Sequence, residues 1–163
     1  MLVLGIDPGI ASTGYGFVQE RDGALEAVAF GVVSTPPKLP VPARLQMIYR
    51  ELAALIAEHA PTSAAIEKLY FSRNVSTAMS VGQARGVSLL ALADGGLDIV
   101  EYGPNEVKLA VAGFGNADKP QMQEMVRLLL GLDERPRPDD AADALAVAIC
   151  HLHAARYQQL MEE

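Results

Sequence analysis

The sequence predicts an α/β domain in which a central, mixed, five-stranded sheet is covered by helices on both faces. Three observations lead there. Three apolar segments rich in Val, Leu and Ile crowd the first 33 residues with short connections between them. Two more strand-like runs, SAAIE and DIVEY, alternate with stretches of helical period. Beyond Asn105 the pattern is helix after helix. Clustered strands followed by strands interleaved with helices make an antiparallel meander that opens a mixed sheet.

Each element has its own signal. Leu2 to Asp7 is a strand that closes on an acid, Gly14 to Glu20 a second after the turn PGIASTG, and Leu25 to Val33 a third. The Gly-containing or charged connections between them suit hairpins. STPPKLPVP, residues 34–42, carries four prolines and reads as a connection, since proline removes a donor and cannot continue a strand or helix. Arg44 to His59 places Leu45, Ile48, Leu52, Leu55 and Ile56 on one helical stripe. A strand from Ser63 to Glu67 follows, then a helix over Val75–Ala93, a strand over Asp98–Tyr102, helices over Asn105–Ala112 and Gln121–Leu130, and a last helix over Asp139–Tyr157. Residues 1–163 are expected to form one domain, since a chain of this size buries about two-thirds of its unfolded surface.

Composition excludes several classes. Half the residues are hydrophobic and 20% are charged, which is too apolar for a disordered tail. No apolar run approaches the ~20 residues that span a bilayer, so no membrane is expected as partner. MLVLGIDPG lacks the basic start and long apolar core of a secretion signal. Cys150 is the only cysteine, so neither an internal disulfide nor a cysteine-rich zinc site can form, and a reducing cytoplasm is the expected compartment. The net charge of −7 argues against non-specific coating of nucleic acid and confines any DNA contact to one face.

The acids carry the chemistry. Asp143 lies in AADALAVAIC, where every other residue is apolar. A helix hydrophobic all round is buried, and an ionised carboxylate there needs a partner, hydrogen bonds or a metal. Asp140 stands three residues earlier and Asp139 four, so either can share its face. Asp139 also suits the role of N-cap after Pro138. Asp7 and Glu67 each end an apolar strand. Two carboxylates about 4 Å apart repel by roughly 4 kcal/mol at an effective dielectric near 20, so a cluster of them calls for divalent cations. Four such acids are the ingredients of a site for Mg2+ or Mn2+ ligated by oxygen. Two ions could activate water and clamp a phosphate, with no Ser, Cys or His nucleophile. His151 and His153 point to different sides of a helix and His59 sits near a helix end, so structural or solvated roles suit all three. A Gly-rich turn after a strand acid, as in DPGIASTGYG, also occurs in phosphate-binding loops of the actin, heat-shock chaperone and sugar-kinase superfamily, but those proteins need two lobes, and the chain has no GKS or GKT.

IDPGIASTGYG, IEKLYFSRN, SVGQARG, VKLAVAGFGNADKPQMQEMV and DDAADALAVAICH resemble, in order and spacing, the motifs of the RuvC family of crossover junction endodeoxyribonucleases, from Leu2 to His153. The resemblance implies a ribonuclease H-like fold, a homodimer, and paired symmetric nicking of four-way (Holliday) junctions that leaves 5′-phosphate and 3′-hydroxyl ends. It implies two Mg2+ or Mn2+ ions per active site held by Asp7, Glu67, Asp140 and Asp143. A junction-stacking aromatic falls on Tyr70 or Phe71, and basic residues near the scissile phosphate fall on Lys108 and Lys119, with Arg73 beside them; Lys119 is also placed in catalysis. A branch-migration motor joins the expected partners by resemblance alone. The positive face would comprise Lys68, Arg73, Arg85, Lys108, Lys119 and Arg127. Met79, Gly82, Gly86 and Leu89 form a stripe on the helix over Val75–Ala93 that a second subunit could cover. The alternatives are ribonuclease H-like cleavage of RNA in hybrids, a junction-binding scaffold without catalysis, and an ATP-binding lobe.

Overall fold

The computed structural model describes residues 1–68 and 74–162. Among these the order is β1 (Leu2–Asp7), β2 (Ser12–Arg21), β3 (Ala24–Ser34), α1 (Val41–His59), β4 (Ser63–Glu67), α2 (Val75–Asp94), β5 (Asp98–Tyr102), α3 (Pro104–Ala112), α4 (Lys119–Leu129) and α5 (Asp139–Glu162). The five strands form one sheet in the order β3-β2-β1-β4-β5. The β1–β2 and β2–β3 pairs are antiparallel, whereas β1–β4 and β4–β5 are parallel. This is the expected mixed sheet, with the ribonuclease H-like α/β architecture.

Two cores lie on its two faces. Alternation along β1 sends Leu4 and Ile6 into a core with Phe17, Ile48, Leu52 and Leu92, under α1 and α2. Val3 goes to the opposite core with Val18, Ala65, Leu145 and Ile149, under α3, α4 and α5. The same period of two carries Asp7 and Glu67 to the α5 face, because Asp7 is in phase with Val3 and Glu67 with Ala65. Ile6 pairs with Ile66 in the parallel register, so the two acids end adjacent strands at one level.

Several boundaries differ from the sequence reading. α1 begins at Val41, inside the segment expected to be a connection, because Pro42 occupies the first turn, where its missing donor costs nothing. β2 begins at Ser12, two residues early, where Ser12 pairs with Ser34. α5 runs on to Glu162, past Tyr157.

α5 lies unusually close to the sheet. A Cβ built on Gly5 would run into the carbonyl oxygen of Ala144, and one on Gly14 into that of Asp140. These two strand positions carry glycine because a helix backbone occupies the space of their side chains.

Candidate active site

The site forms where β1 and β4 end against the first turns of α5. Oxygens of Asp7, Asp140 and Asp143 all lie within 4.8 Å of one another. Asp7 arrives by strand phase; Asp140 and Asp143 arrive together because residues three apart share a helix face. The close approach at Gly14 presses the start of α5 onto the sheet and so closes the triad. The turn after Asp7 is fastened by buried Thr13, whose Oγ1 donates to the Gly9 carbonyl at 2.6 Å and accepts from the Gly9 amide at 3.3 Å. Thr35 Oγ1 holds the same turn by donating to the Ile10 carbonyl at 2.5 Å.

Glu67 stands beside the triad. It lines a cavity of about 320 Å³ with Asp143, Lys108 and Lys119. The end of its strand is held by Arg85 Nη1, which donates to the Glu67 carbonyl at 2.5 Å, and by the Lys68 amide, which donates to the Tyr102 carbonyl at 2.7 Å. Asp139 is not one of the three. Its Oδ1 accepts from Gln123 Nε2 at 3.0 Å and its Oδ2 lies 3.7 Å from Lys119 Nζ. Of the two acids that could neighbour Asp143, the geometry therefore brings Asp140 into the cluster.

The electrostatics are those of crowded carboxylates short of positive charge. Burial, then the charges of Asp143 and Asp140, a hydrogen bond with Asp140 and the charge of Glu67 push the Asp7 carboxyl up to about 8. Burial and the charge of Asp143 raise Glu67, partly offset by Lys108. Asp143 is raised by burial, against the pull of Lys119, whose Nζ lies 3.5 Å from Asp143 Oδ2. Lys119 in turn is raised, chiefly by Asp143. It keeps its proton at neutral pH and acts as a fixed charge. The donors fit a hard divalent cation: three carboxyls that are acceptor-only once ionised converge, and Lys119 is more than half exposed and touches only Asp143 among them.

The sequence-derived basic face is smaller than expected. Arg127 Nη2 is 2.6 Å from Glu124 Oε1, and Arg85 Nη2 is 2.6 Å from Glu101 Oε1, so both spend their charge within the protein. Lys68 is exposed at the end of β4, and Lys108 and Lys119 line the cavity. Tyr70, Phe71 and Arg73 lie outside the described residues. His151 is structural: it is buried, with Nδ1 2.7 Å from Tyr102 OH and Nε2 3.1 Å from Ser63 Oγ. Sequence reasoning missed Gly5 and Gln123. Gly5 had a signal, since it shares the face of Asp7 two residues on.

Comparison with known proteins agrees with this geometry. Residues 3–151 match the family model described as crossover junction endodeoxyribonuclease RuvC. A crossover junction endodeoxyribonuclease RuvC of Syntrophomonas wolfei is 51% identical over 162 residues, covering 99% of this chain and 94% of that protein. The protein of the same name from Chloroflexus aggregans is 57% identical over 155 residues, covering 95% and 94%. The structure of T. thermophilus RuvC in complex with a Holliday junction substrate superposes with a TM-score of 0.92 at 38% identity, covering 97% of this chain and 96% of that one. Strand-end acids, a pressed-on helix bearing two more, and a match along nearly the whole length thus meet in one conclusion: the chain belongs to the RuvC family of crossover junction endodeoxyribonucleases.

Proposed function

We propose that this chain is a structure-selective DNA endonuclease that resolves Holliday junctions by paired nicks, and that residues 1–163 act as a single nuclease domain. The observation that carries the reading is the convergence of Asp7, Asp140 and Asp143 within 4.8 Å in a member of this family. With Glu67 they are the proposed ligands of two Mg2+ or Mn2+ ions. Bound there, divalent cations supply the charge that lets these carboxylates ionise together, polarise the phosphodiester and acidify the attacking water. The residues do the rest. Asp7 and Glu67, on adjacent strands, and Asp140 and Asp143, on one helix face, hold their oxygens in a preset arrangement. Lys119, kept protonated, draws a phosphate oxygen toward Asp143, and Lys108 lines the same cavity. The products are 5′-phosphate and 3′-hydroxyl ends. Tyr70 or Phe71 is the proposed stacking residue, with Arg73 as a phosphate contact. The cytoplasm is the proposed compartment; among the described residues no helix is long and apolar enough to cross a membrane.

The same reading proposes a homodimer through α2, with a branch-migration motor as a partner by resemblance alone. Met79 and Leu90 are exposed on α2, and a Cβ on Gly82 or Gly86 would meet nothing within 4 Å, whereas Leu89, expected on this stripe, packs against the core. A two-fold pair would present two sites to the two strands of like polarity in a junction.

Cleavage of a labelled four-way junction, a linear duplex and an RNA–DNA hybrid, with and without Mg2+ or Mn2+, tests the proposal. Cation-dependent paired nicks in the junction alone are expected. Cutting confined to the hybrid's RNA, or junction binding with no nick under either cation, would replace it with one of the alternatives. In the same assay Leu90→Glu should sediment as a monomer and leave single nicks; a dimeric Leu90→Glu would move the interface elsewhere.

A further inference from the structure

A second cavity, of about 880 Å³, opens beside the start of α5, lined among others by Gln123, Arg135, Arg137, Asp139 and Asp140. Asp140 lines this cavity, Asp143 lines the first, and their carboxylates meet in the triad. The triad therefore has an acid in the wall of each cavity.

The charged groups of the second cavity are nearly all engaged within the protein. Arg135 Nε donates to Glu124 Oε2 at 3.0 Å. Asp139 is held by Gln123 and Lys119. Asp140 turns to Asp7 and Asp143. Arg137 is the exception: it is exposed, and among the described residues no carboxylate lies within ion-pair distance of it. Its neighbour Pro136 is buried and Pro138 begins the turn into α5, so the arginine stands on an anchored stretch three residues before Asp140.

We infer that Arg137 is a substrate-binding residue that grips a backbone phosphate near the scissile one, from the cavity that Asp140 lines. This deepens the proposed function and rests on it. A guanidinium suits the role because its planar fork donates two parallel hydrogen bonds to phosphate oxygens. It also answers the acidity of the chain: a few cations placed around the triad hold the strand without a broadly basic surface.

The test compares wild type, Arg137→Ala, Arg137→Lys and Arg50→Ala on a four-way junction with Mg2+. Arg50 is an exposed arginine of α1, on the other face of the sheet, and controls for loss of one positive charge. Arg137→Ala should raise KM about tenfold with little change in kcat, and flatten the dependence of log kcat/KM on log salt by about 0.9, the value of one lost phosphate contact. Arg137→Lys should restore the salt dependence and part of the KM, while Arg50→Ala and all melting temperatures stay at wild-type values. Arg137→Ala indistinguishable from Arg50→Ala, or a melting temperature that falls with activity, overturns the inference and leaves the nuclease reading standing. A wild type that leaves the junction uncut removes both.

Discussion

Asp7→Asn should lose cleavage of the four-way junction by at least ~10³-fold, the equivalent of about 4 kcal/mol of transition-state stabilisation, while binding it with wild-type affinity. Asp7 is the acid most tightly drawn into the cluster, since its carboxyl meets Asp140, Asp143 and Glu67 together. Asparagine keeps the shape and removes the charge that a cation needs. The lysines that face DNA are untouched, so affinity remains. The variant should also melt higher than wild type when no cation is bound. A carboxyl whose value is raised from 3.8 in the open chain to about 8 in the fold favours folding fully below pH 4, and that contribution is lost as pH rises toward 8. Asparagine has no such loss, so its advantage should grow across that window. Nicking near the wild-type rate, or a lower melting temperature at pH 7, would show that Asp7 is an ordinary strand-end acid. Gel assays and thermal scans at pH 5 and pH 8 read both effects.

Gly5→Ala should destabilise the fold by about 3 kcal/mol, near the upper end for overpacking, and lower the melting temperature by roughly 6–12 °C. The added methyl would meet backbone atoms of Ala144 and Ala148, which a rotamer change cannot move. α5 can relieve the clash only by lifting from the sheet, which carries Asp140 and Asp143 away from Asp7. Stability and cation affinity should therefore fall together. Gly115→Ala, where a Cβ meets nothing within 4 Å, is the control and should melt as wild type does. Equal melting temperatures for the two variants would mean that α5 sits farther from β1 than described.

Much of this was legible because strand and helix periods are short-range facts. The phase of Asp7 and Glu67 follows from counting by two along apolar strands, and the pairing of Asp143 with an acid one turn earlier follows from counting by three or four. The choice between Asp139 and Asp140 was not legible. It depends on Gln123 and Lys119, which arrive from α4 and engage Asp139. The start of α1 was misjudged because prolines that forbid a helix interior are welcome in its first turn. Arg85 was counted as a surface cation although Glu101 reaches it from β5, a tertiary contact. The Arg127 pair was readable: Glu124 lies three residues before it on the same helix face.

Acids from β1 and α5 converge closely enough to require a cation between them. Calorimetric titration of Mn2+ into the protein at pH 6.5, repeated in buffers of different ionisation enthalpy, tests it most directly. With Asp7 raised to about 8, binding should release about one proton per chain, and Asp7→Asn should bind far more weakly with no such release. Identical, buffer-independent heats for the two proteins would contradict it.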